Sequence, residues 1–313
     1  MMELGLFVEP QLGGSYHRLV ELAKWSEDNG LDAFARSDHY LHGETSAHAT
    51  DAIVSLAGVA VETGSIRLVT LVSPITFRHP AVMAKAATTL DEISHGRFTL
   101  GVGTGWMESE HDAFGLDLPP LGERFDRLAE ALAHIRLIFD GGGSVEGKYY
   151  SLDAPSVSPQ ASDGLKIVIG GSGKRKTPTL AGRFADEYNL FVTDAATLVE
   201  RVEVMHSAAT AAGRNPDDIL ISMAGPGLVF DDDAEYQSLL VDRAAKRELS
   251  VDDYVAFLDE RNVPHGSPER AHEAIQRMAE LGVGRYYVQE FSSLEDVDLT
   301  RMELIFSALQ GSA

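Results

Sequence analysis

Short apolar runs alternate with longer segments along nearly the whole chain, and the two kinds of segment differ in how their apolar residues are spaced. Short runs of aliphatic and β-branched residues near Gly or Asp are typical of strands. In the longer segments apolar residues recur every three or four positions, which is typical of amphipathic helices. We predict eight strands, over residues 4–8, 33–37, 66–71, 97–102, 166–169, 187–192, 219–224 and 285–289.

The helical pattern is clearest in two segments. Their apolar positions are Phe125, Leu128, Leu132, Ile135 and Ile138 in the first, and Ala271, Ile275, Met278 and Leu281 in the second. Asp51 and Ser267 each precede a helical pattern and are residues that often cap helix N-termini. Pro268 stands in the first turn of the helix that follows Ser267, where a missing N–H does no harm.

Eight strands with intervening helices predict an α/β fold, a (β/α)8 TIM barrel with a closed parallel sheet. An open, doubly wound sheet is the structural alternative. Residues 140–165 are rich in Gly, Ser and Pro and predict a β-hairpin inserted after the fourth strand. The acidic residues 231–265 predict a helical insertion after the seventh strand. Since no segment has the composition of a linker, we expect one domain over residues 1–313.

Composition and charge exclude several classes of function. The chain has 48 acidic and 26 basic residues and a net charge of −22, which disfavours nucleic acid as a partner. It has no cysteine, so disulfides, thiolate catalysis and Cys-based zinc sites are excluded. No apolar run reaches the length of a membrane span. Residues 1–5 lack the features of a secretory signal, so we expect a cytoplasmic protein.

In a barrel, functional residues collect where the strands end. The second strand runs into Asp38 and His39, which places a carboxylate beside an imidazole suited to proton transfer near neutral pH. A hydrogen-bonded structural histidine is the alternative. The fourth strand ends in the run Gly101-Val102-Gly103-Thr104-Gly105-Trp106. Alternate glycines permit close approach of either a ligand or neighbouring backbone. The run is not a dinucleotide fingerprint, because Trp106 stands where that motif requires glycine.

The fifth strand ends in a glycine-rich loop that contains three successive cations. The loop reads Gly170-Gly171-Ser172-Gly173-Lys174-Arg175-Lys176, and a helical pattern follows it. Free N–H groups at a helix N-terminus bind anions, and a basic cluster stands out in a chain this acidic. A Walker A motif is excluded, because Val168 and Arg175 occupy two of its required positions. We therefore predict a phosphate site, though not one for a nucleoside triphosphate; a solvated basic turn is the alternative.

Together these strand ends resemble the luciferase-like monooxygenase superfamily, in particular its coenzyme F420 (deazaflavin)-dependent oxidoreductases. The resemblance covers about the first two-thirds of the chain. Its motifs are Ser37-Asp38-His39, Phe77-Arg78-His79-Pro80-Ala81, the run from Gly101 to Trp106 with Glu110, and the loop from Gly170 to Thr177 followed by Ala185-Asp186.

The resemblance implies a role for each matching residue. His39 matches the proton donor, and Asp38 matches a residue that contacts the pyrimidine side of the ring. Thr70 and Leu71 match a non-proline cis peptide behind the ring. The remaining cofactor contacts implied are Thr104 and Gly105 at the ring and Gly170, Gly171, Ser172, Gly173 and Lys174 at the phosphate. Trp106 replaces the acidic residue of several sugar-phosphate-oxidising members, which argues against that substrate and favours an apolar pocket; a packing residue is the alternative.

The function implied is hydride transfer between F420 and a small organic substrate, by a homodimer. An FMN-dependent monooxygenase supplied by a separate flavin or deazaflavin reductase is the alternative, because FMN also carries a tricyclic ring and a phosphate. Two further alternatives remain. One is a metal-dependent hydrolase, with His39, His42, Glu44 and His48 as ligands. The other is a non-catalytic flavin-binding barrel, in which His39 is structural.

Overall fold

The computed structural model describes residues 2–42, 49–154 and 156–311. Its central element is a sheet of eight parallel strands. They are β1 (Glu3–Val8), β2 (Ala33–Arg36), β3 (Arg67–Thr70), β4 (Phe98–Gly103), β5 (Lys166–Gly170), β6 (Glu187–Phe191), β7 (Leu220–Gly225) and β8 (Arg285–Glu290). The predicted strands match these within one or two residues at each end.

The sheet closes on itself in chain order. β3 pairs with β4 at Leu68 and Phe98, and β8 pairs with β1 from Arg285 opposite Glu3. The predicted TIM barrel is therefore confirmed, and the open doubly wound sheet is wrong. All eight carboxyl ends face one end of the barrel, which we call the mouth.

Helices surround the barrel. They are α1 (Tyr16–Asp28), α2 (Ala52–Glu62), α3 (Pro80–Ile93), α4 (Glu108–Phe114), α5 (Leu121–Phe139), α6 (Lys176–Phe184), α7 (Ala195–Ala211), α8 (Asp233–Ala245), α9 (Val251–Glu260), α10 (Pro268–Glu280) and α11 (Leu299–Gln310). The predicted caps are confirmed: Asp51 accepts the N–H of Val54, and Ser267 accepts that of Arg270. Across the described helices, none has both the length and the hydropathy needed to cross a membrane.

Both predicted insertions are present. After β4 and α5, the strands Gly143–Glu146 and Ser151–Ala154 form an antiparallel hairpin, which the Glu130 carboxylate holds by accepting N–H groups of residues 148–150. After β7, α8 and α9 pack around a small apolar core of their own. Further two-residue strands lie at Ser73–Pro74, Leu228–Val229 and His265–Gly266, and short 3-10 helices at Pro10–Leu12, Pro216–Asp218 and Leu294–Asp296.

Alternate residues of each strand face opposite sides of the barrel wall. The outward-facing set packs against the helices in the main core. A smaller buried cluster fills the barrel interior: Phe7, Ala33, Ala35, Val69, Leu71, Val168, Ala224 and Tyr287. Two residues further along each strand, the same alternation brings a set of mostly polar or small residues to the mouth. That set includes Glu9, Ser37, Gly103, Gly170, Phe191 and Gln289.

Candidate functional site

His39 follows β2 and is held at the mouth by a glutamate from α4. Its Nδ1 lies 2.9 Å from Oε2 of Glu110. A carboxylate oxygen accepts hydrogen bonds, so Nδ1 carries the hydrogen and donates it. Nε2 has no partner among the described residues and is free to exchange a proton with a ligand. The rest of the imidazole is partly covered, since its side chain is 18% exposed.

Glu110 is buried, and three hydrogen bonds keep it ionised. Oε2 accepts from His39, while Oε1 accepts the backbone N–H groups of Tyr40 and Leu41. Burial by itself would raise the pKa of Glu110, but the hydrogen bonds and the charge attraction of His39 outweigh it and the pKa is lowered. The carboxylate therefore fixes both the ring of His39 and the backbone beside it. Glu110 belongs to the motif that carries the family resemblance, but the sequence did not indicate this contact.

Trp106 lies beside His39 in an exposed position. The two ring centroids are 5.7 Å apart in an edge-to-face arrangement, and Trp106 is 68% exposed. A packing residue would be covered, so the exposed indole favours the predicted place in a pocket wall.

Asp38 does not reach the mouth in this structure. It is fully buried, and its carboxylate accepts hydrogen bonds from Ser73 (2.6 Å) and from Arg78 (2.6 Å). Arg78 also contacts Tyr40 and Asp51, which ties the loop after β2 to the start of α2. The predicted contact of Asp38 with a ring is therefore not available in this conformation. The residue instead orders the segment that carries His39.

A non-proline cis peptide is present after β3, one bond later than predicted. It joins Leu71 to Val72, whereas the prediction placed it at Thr70 and Leu71. Thr70 is fully buried, and its hydroxyl accepts the N–H of Gly101 on β4. The half-buried side chain of Val72 lies at the mouth, and the sequence analysis did not single it out.

The glycines of β4 serve packing within the barrel. A Cβ on Gly101 would lie 1.7 Å from the Thr70 carbonyl oxygen, and one on Gly103 would lie 2.7 Å from Val72. A Cβ on Gly170 of β5 would also crowd Val72, at 3.1 Å. The packing alternative thus holds for Gly101 and Gly103. The result is a low, apolar surface of valine and glycine backbone beside His39.

Thr104 and Gly105 continue from this surface and are both half-buried. Gly105 has φ +75°, a conformation that favours glycine, and a Cβ there would lie 2.7 Å from Thr76. Arg124 of α5 donates to the Gly105 carbonyl. The two residues predicted to contact the ring therefore directly follow Gly103, on a backbone that Arg124 of α5 holds.

The loop after β5 offers a set of free backbone donors. Gly171 has φ +145° and donates its N–H to the Asn189 carbonyl, so the chain turns sharply at the strand end. Gly173 must be glycine, because a Cβ would lie 2.4 Å from the Thr177 hydroxyl. Within the described residues, the N–H groups of 172–177 have no backbone acceptor, and Arg175 caps α6 without a side-chain hydrogen bond.

The cations of this loop are available to a ligand. Lys174 and Arg175 are exposed, and in the described part of the chain no carboxylate lies within ion-pair distance of either. Lys176 lies 3.8 Å from Asp126 in an exposed pair, which contributes little. Free N–H groups at the start of a helix, together with unpaired cations, match the chemistry of a phosphate site.

The mouth also holds a buried polar network that the sequence analysis missed. Oε1 of Glu9 accepts from Gln289 (2.6 Å), and its other oxygen accepts from Gln11. Gln11 in turn accepts from the Ser37 hydroxyl, at 2.6 Å. Glu9 directly follows β1, so the strand-end rule that found His39 would also have found it.

The histidines proposed as metal ligands are not assembled in the described residues. His39 is paired with Glu110, and no group of three His, Asp or Glu side chains able to hold a metal occurs in the described ranges. Glu44 and His48 lie outside those ranges. Two surface grooves, of about 710 and 630 Å³, lie away from the mouth, one beside His95 and Ser158 and one between α2 and α3.

Known proteins with similar sequences include two kinds of enzyme. An F420-dependent glucose-6-phosphate dehydrogenase of Nakamurella multipartita is 35% identical over 226 residues, which cover 69% of this chain and 65% of the relative. The pyrimidine monooxygenase RutA of Allorhizobium ampelinum is 32% identical over 217 residues, covering 63% of this chain and 56% of the relative. The chain thus matches somewhat less than two-thirds of the length of these relatives.

The fold matches solved structures over nearly the whole chain. An F420-dependent secondary alcohol dehydrogenase, solved in complex with an F420-acetone adduct, superposes with a TM-score of 0.81 over 98% of this chain and 99% of the other. At 20% identity this likeness shows the fold alone. The model of the luciferase-like monooxygenase family matches residues 2–285. The chain therefore belongs to the luciferase-like monooxygenase family.

Proposed function

We propose that the protein is an F420-dependent oxidoreductase that transfers a hydride between the deazaflavin and a small organic substrate. The observation that carries the proposal is the arrangement of four neighbouring strand ends. His39 follows β2, Val72 follows β3, Thr104 and Gly105 follow β4, and the free N–H groups follow β5. A proton donor, an apolar platform and an anion site therefore occupy one side of the mouth.

The residues present fit a tricyclic cofactor with a phosphate. The valine and glycine surface can accommodate a flat ring, because Gly103 and Gly170 add no side chain to it and Val72 is half-buried. The loop at 170–176 supplies N–H donors and cations for the phosphate. When bound, the deazaflavin supplies the hydride chemistry, and the protein supplies binding, orientation and the proton.

His39 handles the proton. Its Nδ1–H is committed to Glu110, so Nε2 is the atom that can accept a proton from a substrate hydroxyl or return one to a carbonyl. Glu110 holds the imidazole in this tautomer. The curated relatives that use F420 are consistent with this assignment.

Replacement of His39 by Ala tests the proposed chemistry. We expect kcat to fall by about 10²- to 10⁴-fold, the usual contribution of a positioned acid or base, with little change in the Kd for F420. His79→Ala is the control, since His79 lies in the turn before α3 with its side chain on its own helix start. Unchanged turnover in His39→Ala would make the histidine structural and would overturn the assigned role.

An FMN-dependent monooxygenase is the second candidate, because the loop at 170–176 suits the FMN phosphate equally well and RutA is named a monooxygenase. In that case the protein would consume O₂ with reduced FMN supplied by a separate reductase. Oxygen uptake dependent on reduced FMN, with no hydride transfer to F420, would favour it.

A further inference from the structure

The strands outside the proposed cofactor site border the other side of the mouth. Around the barrel, β2 to β5 are consecutive neighbours, and β6, β7, β8 and β1 complete the circle. The residues assigned to the ring and the phosphate all follow the first group. The substrate must therefore enter from the second group, with His39 and Trp106 at the boundary.

Exposed aromatic side chains line this second side. Phe191 is the last residue of β6 and lies two positions after the inward-facing Asn189; it is 53% exposed. Phe291 follows β8, two positions after Gln289, and is also 53% exposed. Trp106 adds a third exposed ring from the β4 side. Large apolar surfaces left open at a concave end mark ligand contacts.

The polar group on this side is an anion. Glu9 is 8% exposed, and its two oxygens are satisfied by the amides of Gln289 and Gln11. Amides bring no compensating charge, so the carboxylate presents a negative potential to anything that enters. A phosphate or carboxylate on a substrate would be repelled there.

No Lys or Arg stands in the chain segments that directly follow these strands. The segments that directly follow the strands, residues 9–12, 192–194, 226–230 and 291–293, contain no Lys or Arg, and neither do residues 39–50. Arg78 is already paired with Asp38 and Asp51. Arg261 and Arg301, on the surrounding helices, lie over the rings of Phe257 and Phe230 at 4.0 Å.

We propose that the substrate is a neutral, largely apolar organic molecule without phosphate or carboxylate, bound between Trp106, Phe191 and Phe291. This inference rests on the proposed function for the reaction that the substrate undergoes. The positions of the three aromatic side chains do not depend on the proposed function. The inference separates the protein from the relatives named as glucose-6-phosphate dehydrogenases, although their sequences are similar.

Fluorescence tests the pocket without any cofactor. The chain has two tryptophans, and Trp25 packs against Phe306 in the helical layer. In a Trp25→Phe protein the emission reports Trp106 alone. We expect cyclohexanol to shift this emission to shorter wavelength in a saturable manner, and glucose 6-phosphate to leave it unchanged. The reverse result overturns the proposal.

Turnover with F420 gives the second readout. We expect kcat/KM for neutral cyclic or aryl-alkyl alcohols to exceed that for glucose 6-phosphate by at least about tenfold. Phe191→Ala and Phe291→Ala should each raise KM for the alcohol by about tenfold, because each removes an apolar ring that the bound substrate would cover, and leave the Kd for F420 unchanged. Val199→Ala, an exposed site on α7, is the control.

The outcomes separate the two proposals. If F420 binds and glucose 6-phosphate is preferred, or if neither substrate class is turned over, the substrate class is wrong and the cofactor assignment stands. If F420 does not bind but cyclohexanol still shifts Trp106 emission, the proposed function is wrong and the apolar pocket stands.

Discussion

At the scale of single residues, the site depends on a carboxylate that touches neither of the ligands proposed. Glu110 fixes His39 and two backbone N–H groups while it is itself buried. Its effect on the reaction passes through the imidazole. We therefore regard Glu110 as a positioning residue, with His39 as the catalytic one.

Glu110→Gln should lower kcat by about tenfold. In the native protein one carboxylate oxygen accepts from His39 and the other accepts two backbone N–H groups, whereas an amide has a single acceptor oxygen, so the variant loses one of these contacts. The fold lowers the pKa of Glu110, so the ionised carboxylate adds to the free energy of unfolding at neutral pH. This contribution is lost as pH falls and Glu110 becomes protonated. The Gln variant has no carboxyl group, so its stability does not show this loss.

Steady-state kcat and the pH dependence of thermal unfolding measure the two effects. Glu108→Gln on the same helix is the matched control, because Glu108 is exposed. A kcat unchanged by Glu110→Gln would contradict the positioning role.

Individual residues were only partly predictable. His39 was predictable from its residue type and from its position directly after a strand. The burial of Asp38 was not readable, because it depends on Arg78 and Ser73, which are distant in sequence. Val72 was missed because nothing in a lone valine indicates that the peptide bond before it is cis.

At the scale of elements, we propose that the loop before α6 distinguishes a phosphate-bearing ligand from the same ring without phosphate. Its glycines allow the backbone to fold over Thr177, and in the described residues no carboxylate lies within ion-pair distance of Lys174 or Arg175. The sequence predicted this element well, because glycine spacing and helix start are local properties. The hairpin and the helical insertion were also predicted from composition, whereas α4 was not, since seven residues hold too little periodicity.

Combined replacement of Lys174 and Arg175 by Ala should raise the Kd for F420 by about tenfold and reduce its dependence on ionic strength, because two charge-assisted contacts to the phosphate are lost. Binding of the deazaflavin chromophore without a phosphate should not change. Fluorescence titration at two salt concentrations measures both. Lys246→Ala, at the C-terminal end of α8, is the control. Equal weakening of both ligands would contradict the assignment of the loop to the phosphate.

At the scale of the whole molecule, one face of the barrel is unusually apolar. α2 exposes Val54 and Val61, α3 exposes Val82 and Ile93, and the groove between them contains no Asp or Glu. Apolar helices of this kind are normally covered. In a chain of charge −22, a groove without carboxylates in its lining is a place where two copies repel each other little. We propose that this face forms a homodimer.

Light scattering after gel filtration should give a mass about twice the 33.9 kDa of the chain. The double change Val54→Glu and Val82→Glu should give the monomer, because it places four carboxylates in a symmetric interface. Val241→Glu on α8, equally exposed, should leave the mass unchanged. A wild-type monomer would contradict the proposal.

The overall fold was the most predictable level. Alternation of strands and helices implies parallel strands, and eight of them close a barrel, so local patterns were enough. Closure itself brings β8 beside β1, with Arg285 opposite Glu3, and no local pattern contains a pairing over that distance in sequence. The proposed division of the mouth into a cofactor side and an apolar side depends on the order of the strands around the closed barrel.

The most direct test of the account is titration of the purified protein with F420 and, separately, with FMN, followed by fluorescence quenching. The account predicts saturable binding of F420 that weakens when Lys174 and Arg175 are replaced. Tight binding of FMN with no affinity for F420 would contradict the central claim.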